Sequence, residues 1–249
     1  MCKNDSTILK NLCPLSGMIT YMHNIVIFQY VIGRCSQPLI GPNGRRSRED
    51  ERLLSSFNVK AGPKARKGFI IDTRTVATIS SARAKGGGQE SEAYYPAWKK
   101  INKAIDRYHF LLDSYSKLME ACSDTSVSHE KWLNRLTVSS WLTHVKEVLT
   151  CGCLVAQCLE KEGTNVMVHG SEGVDVTLAV TSLAQVILNP DCRTVRGFEA
   201  LIEREWLQGG HPFWSRTSKG PFNDSVATKS KTFAPTFILF LDCLWQVIF

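Results

Sequence analysis

His169-Gly170-Ser171-Glu172-Gly173-Val174-Asp175-Val176-Thr177 is the stretch that decides the fold of this chain. A short apolar run, Val166-Met167-Val168, precedes it, and a helix-like run from Leu178 to Leu188 follows. Strand, tight polar loop and helix in this order make a cradle for an anion. Backbone N–H groups and the positive end of the helix converge on one point, which requires small residues in the loop. Gly170, Ser171 and Gly173 supply them. Phosphoryl transfer to a thiolate also needs a cysteine at the start of such a loop and an arginine six residues later, whose planar fork grips two phosphate oxygens. Gly170 and Val176 stand there, so the sequence predicts the geometry of a phosphate cradle without its chemistry.

No other segment supplies that chemistry. Each of the nine cysteines has a residue other than arginine six positions on, or the chain's last residue, Phe249. Covalent catalysis needs a side-chain heteroatom, which glycine lacks. Asp175 keeps a carboxylate, but an acid without a nucleophile or an anion clamp does not assemble the reaction, and local hydrogen bonding within the loop is its expected role.

The residues around the loop resemble the myotubularin-related phosphoinositide phosphatases, whose loop reads V-H-C-S-D-G-W-D-R-T. Here the same stretch reads Val168-His169-Gly170-Ser171-Glu172-Gly173-Val174-Asp175-Val176-Thr177. Thr181-Ser182-Leu183-Ala184 and the block from Arg193 to Leu207 extend the resemblance well beyond the loop. The resemblance implies an α/β (α+β) cysteine-phosphatase-like domain, a central sheet flanked by helices, incomplete at the C-terminus. It also implies a catalytically inactive branch. By resemblance, Gly170 replaces the nucleophile and Val176 the phosphate-binding arginine, while Asp175 holds the position linked to proton donation. Ala82 stands where active relatives carry an asparagine of the substrate site, and Arg107 and Tyr108 stand where they carry Asn-Ile. All three are read as replaced substrate contacts.

The apolar fraction of 43% over 249 residues fits one globular domain. Residues 1–24 are read as a divergent leader and 25–249 as a partial phosphatase-like domain. The net charge of +7 draws on an early group, Arg34, Arg45, Arg46, Arg48, Lys60, Lys64, Arg66, Lys67, Arg83 and Lys85. This group is read as a solvated surface, with acidic partners such as lipid headgroups as its functional alternative. Nucleic acid is not an expected partner. Nine cysteines without close pairing read as reduced thiols. Cys151, Cys153 and Cys158 match no zinc spacing and are expected to be buried as small hydrophobes. Neither a metal nor a cofactor is expected.

Along the chain, Ile25-Val26-Ile27-Phe28 and Tyr30-Val31-Ile32 read as a strand, and Phe69-Ile70-Ile71 as a short buried one. Gly86-Gly87-Gly88 admits close approach of another segment or a ligand. From Ile101 to Met119 the apolar residues recur at steps of three and four, which predicts a helix. Another is expected from Ser139 or Ser140, with His144 structural, and Asn189-Pro190 is expected to end the helix after the loop. Phe198, Leu201, Ile202 and Trp206 mark a buried helical face, and residues 208–234 read as a flexible polar segment. Thr236 to Phe249 reads as a buried helix, shorter than the ~20 apolar residues that span a bilayer.

The expected function is that of an inactive adapter that binds and stimulates or stabilises active myotubularin-related phosphatases, in the cytoplasm and peripherally on endomembranes. The resemblance places such partner contacts in a coiled coil C-terminal to the phosphatase domain, a segment expected to lie beyond this chain. Two alternatives stand beside it. One is a phosphoinositide-binding module that does not hydrolyse its lipid, with weak contact to the membrane surface, and the other is a truncated fragment without function.

Overall fold

In the computed structural model, residues 23–27, 30–40, 46–59, 67–217 and 233–248 are described. β1 (His23–Ile27) and β2 (Tyr30–Cys35) pair antiparallel, Ile27 opposite Tyr30. The single strand expected over this apolar run is therefore two, because the run is long enough to fold back and pair with itself. β1 begins at His23, inside the segment read as a leader, and residues 1–22 lie outside the described residues.

Helix α1 (Arg48–Val59) leads to β3 (Gly68–Asp72), and α2 (Val76–Ala84) connects β3 to β4 (Trp98–Asn102). Three helices follow: α3 (Tyr108–Ser123), α4 (His129–Ser139) and α5 (Trp141–Glu160). Ile101, expected in a helix, lies in β4 opposite Ile71 of β3, so strand pairing overrides the helical spacing and α3 starts at Tyr108. Neither serine caps α5 in the ordinary way. Ser140 takes a left-handed backbone (φ 59°) between two helices, and the Ser139 hydroxyl accepts from the Trp141 N–H at 3.3 Å.

β5 (Val166–His169) completes a sheet of order β1-β2-β5-β3-β4, parallel throughout except for β1. Side chains alternate across it. Ile32, Ile71, Val166 and Val168 join the larger core, while Val31, Cys35, Ile70 and Met167 pack with Leu54 and Phe57 of α1 on the other face. The larger core is closed by α5 and by α6 (Val176–Leu188), a helix buried at every position except Ile187. Mostly apolar and buried nearly all round, α6 is a core helix, and it packs against α5, the sheet and the last helix.

Asn189 ends α6 as expected and caps a 3-10 turn (Pro190–Arg193) by accepting from the Asp191 N–H. Helix α7 (Val195–Leu201) runs on as a π turn (Ile202–Leu207), which carries Trp206 into a cluster of His211, Phe213, Phe237 and Phe240. The polar segment expected after Gln208 instead contains a short helix, α8 (Phe213–Thr217), and residues 218–232 lie outside the described residues.

Helix α9 (Thr236–Ile248) is buried on one face only. Leu239, Phe240 and Cys243 point inward, whereas Ile238, Leu241, Trp245 and Ile248 are exposed. The Trp141 indole N–H donates to Asp242 at 2.6 Å, which gives that carboxylate a partner in an otherwise apolar helix. Cys151 and Cys158 are buried in α5, and burial pushes their thiols up to about 12 and about 11. Cys153, expected inside with them, is exposed, because two residues along a helix turn the side chain through some 200°. No described helix is long and apolar enough to cross a membrane.

Candidate functional site

Four parallel strands end on one edge of the sheet, so the segments after β2, β3, β4 and β5 come together there. That edge is where open α/β sheets place ligands. The loop 170–175 hangs between β5 and α6, whose first turn begins with Leu178 and Ala179 donating to the Asp175 carbonyl at 2.9 and 3.1 Å.

The loop backbone is fastened from outside. Gly173 has φ +76°, and a Cβ there would lie 2.4 Å from the Cys35 carbonyl oxygen. Only glycine combines that conformation with that approach. Arg34, buried beneath the loop, donates to the Gly173 carbonyl and to the Gly209 carbonyl at 3.4 Å, and the Gln37 N–H donates to Ser171 at 3.2 Å. Arg34 is thus no surface cation, although Arg46 and Arg83 of the same early group are exposed. Arg45, Lys60, Lys64 and Arg66 lie outside the described residues. Substituting Gly173 with alanine is expected to destabilise the chain by at least about 1–2 kcal/mol from the left-handed backbone alone, read as a lower melting temperature.

At the start of the loop Gly170 offers no side chain, and a Cβ built on it would meet the Thr177 hydroxyl oxygen at 2.5 Å and that of Thr73 at 3.1 Å. Thr73 donates to the His169 carbonyl at 3.0 Å and lies 3.4 Å from the Thr177 hydroxyl. Val176 is turned into the larger apolar core. Val174 is partly buried, and its carbonyl is joined to His211 Nδ1 at 2.7 Å. His211 is itself buried, which holds its imidazole below the ordinary histidine range.

Two ion pairs flank the loop. The outer joins Glu172 to Arg107 at 2.7 Å, with Glu172 exposed and Arg107 partly so. The inner joins Asp175 to Arg216 of α8 at 2.9 and 2.7 Å, buried on both sides. Thr236, at the start of α9, reaches Asp175 at 3.4 Å, and His211 lies 3.7 Å from it. Asp175 therefore bonds outside the loop rather than within it as expected, because α8 brings a guanidinium to it. Arg216 was missed in the sequence, although it is a basic residue in a segment otherwise read as solvated.

Beneath the loop lies a buried charged group. His169 Nε2 is 3.3 Å from Glu90 and 3.9 Å from Asp72, and Arg74 binds Asp72 with two nitrogens at 2.8 and 2.7 Å. Burial opposes charge on the imidazole, but Glu90 and Asp72 outweigh it and hold His169 above its ordinary range. Burial likewise opposes the carboxylates, and His169 holds Glu90 down while Arg74 and His169 hold Asp72 down.

The glycine run serves this group. Arg74 also donates to the Gly88 carbonyl at 2.8 Å and to Gln37 at 2.7 Å. Side chains at Gly87 and Gly88 would strike Gln37 and Ile40, so the close approach is by another chain segment. Ala82 is buried at the end of α2, and its carbonyl accepts from the Gly87 N–H at 2.9 Å. Of the three positions read as replaced contacts, the structure brings Arg107 to the loop, buries Ala82 near the end of α2, and starts α3 at Tyr108.

A family model described as "Myotubularin-like phosphatase domain" matches residues 17–249. The chain belongs to the myotubularin-like phosphatase family. It is 54% identical to human "Myotubularin-related protein 9" over 218 residues, 88% of this chain and 38% of that protein. Bovine "Myotubularin-related protein 9-like" is 50% identical over 217 residues, 87% of this chain and 39% of that protein. The mouse "Phosphatidylinositol-3,5-bisphosphate 3-phosphatase MTMR2" is 38% identical over 219 residues, 88% of this chain and 33% of that protein. The chain thus spans well under half the length of these myotubularin relatives.

Proposed function

We propose that this myotubularin-like domain is catalytically inactive and serves as an adapter, binding an active phosphatase of its family and raising that enzyme's stability or turnover. One observation carries the first half of the reading. At the position of the nucleophile Gly170 has no heteroatom and the Thr177 hydroxyl crowds the space, while at the position of the phosphate clamp Val176 packs into the core. A phosphate in the cradle would meet neither an attacking thiolate nor a guanidinium from the loop itself.

The adapter half rests on family membership, since a fold that has shed its chemistry still presents its surfaces. The reading places the protein in the cytoplasm and at the surface of endomembranes. Incubated with vesicles carrying phosphatidylinositol 3-phosphate or phosphatidylinositol 3,5-bisphosphate, the purified chain is expected to release phosphate at the rate of a buffer blank. Release above the blank would refute inactivity. Extended at its C-terminus to the length of its relatives and co-expressed in turn with active members of the family, the protein is expected to co-purify with at least one and to change its turnover. Failure with every member would refute the adapter role.

A further inference from the structure

We propose that Glu172 is a built-in anion that occupies the Arg107 guanidinium and keeps an external phosphate from it. The two residues stand 65 positions apart, Arg107 just before α3 and Glu172 in the loop after β5, and they meet at 2.7 Å where the parallel strands end. Neither residue belongs to either apolar core cluster. The loop backbone does not depend on the pair: Gly173 is held by Arg34 and Cys35, and Ser171 by Gln37. Opening the pair moves two side chains and leaves the cradle where it is.

The inner pair differs in this respect. Arg216 is buried against Asp175 and bound through two nitrogens. Exchange of its carboxylate for an outside anion would strip a buried charge of its partner. The outer pair has side chains 37% and 50% exposed, so water screens it and its opening changes an equilibrium constant by no more than about fivefold. A phosphate offers the guanidinium two oxygens in the fork geometry it prefers, and so competes with the Glu172 oxygen at Arg107 Nη2. Glu172 thereby sets a threshold that an anion must exceed to reach Arg107.

The inference rests on the reading of the loop as non-catalytic, but its test involves neither lipid turnover nor a partner protein, so each fails separately. Inorganic phosphate is titrated into the wild-type chain, Glu172→Gln, Arg107→Gln and the double variant at constant ionic strength, with binding followed by the NMR shifts of the loop amides. Glu172→Gln is expected to bind phosphate about two- to fivefold more tightly than wild type. The same change in the Arg107→Gln background is expected to give no gain. Equal affinity in wild type and Glu172→Gln would overturn the proposal, and so would a gain of the same size without Arg107, which would mean that Glu172 acts only through its field on the loop. Because water screens the pair, all four proteins are expected to share the wild-type melting temperature within a few degrees.

Discussion

Arg216→Leu is expected to lower the unfolding free energy by about 3–5 kcal/mol, the cost of leaving a buried carboxylate without its cation. Asp175 and Arg216 are each only 8% exposed, and the guanidinium meets the carboxylate through two nitrogens. Once leucine replaces it, Asp175 keeps the 3.4 Å contact to the Thr236 hydroxyl and His211 at 3.7 Å. A neutral hydroxyl does not balance a buried charge. The discriminating protein is Asp175→Asn with Arg216→Leu, in which no buried charge is left alone, and it is expected to recover most of the loss. Urea unfolding of the wild type, both single variants and the double variant measures the coupling. Additive losses would show that the pair is hydrated and contributes nothing as a pair.

That expectation changes what Asp175 is for. The resemblance links the position to proton donation, yet here the carboxylate is joined to α8 through Arg216 and to the first turn of α9 through Thr236. The loop, the short helix and the last helix meet at one side chain. The Asp175 carboxylate fastens the loop to partners 41 and 61 residues away in sequence.

How much of this was legible in the sequence follows from the range of each interaction. The cradle was legible because its demands are local: Gly173 must take a left-handed backbone, and α6 must follow at once. The sheet's buried strands were legible from β-branched runs, as with Ile70 and Ile71. Ile101 misled because an edge strand with Lys99 and Lys100 exposed borrows its order from pairing with β3, which no local spacing records. Arg34 was read as a surface charge from its type alone. Its place between Gly33 and Cys35 in a strand buried from Val31 to Cys35 was the available signal that it points into the protein. The meetings of Arg107 with Glu172 and of Arg216 with Asp175 span 65 and 41 residues. Each joins a loop or short helix to the cradle, and only the tertiary fold sets such distances. Arg107 reads in the sequence as the loss of an amide; in the structure it brings a cation to the Glu172 carboxylate.

The second large effect lies beneath the cradle, where His169→Gln is expected to cost about 3–5 kcal/mol at pH 6, because Glu90 and Asp72 lose the imidazolium between them. All three side chains are almost fully buried, so the charges are not relieved by water. The pH dependence follows from the directions of the shifts. His169 is raised above its ordinary value near 6.5, so its contribution is complete below about 6.5, where the unfolded chain is also protonated, and is lost as pH rises through the raised folded value. Glu90 and Asp72 are lowered, so theirs is complete above about 4.3 and lost as pH falls through the depressed folded values. Wild-type stability is therefore expected to be greatest between these limits and to decline on the alkaline side, with the decline attributable to His169 absent in His169→Gln. The two stability curves should converge as pH rises, because an uncharged imidazole neutralises Glu90 no better than glutamine does. Parallel curves from pH 6 upward would show instead that His169 is neutral in the folded state and that its value lies in packing. Since the His169 carbonyl also receives both the Thr73 N–H and the Thr73 hydroxyl, at 2.9 and 3.0 Å, loosening this residue loosens the first joint of the loop. Amide exchange at Gly170 and Ser171 should accordingly quicken over the same pH interval in the wild type, beyond the base-catalysed rise common to all amides, and show no such excess in the variant.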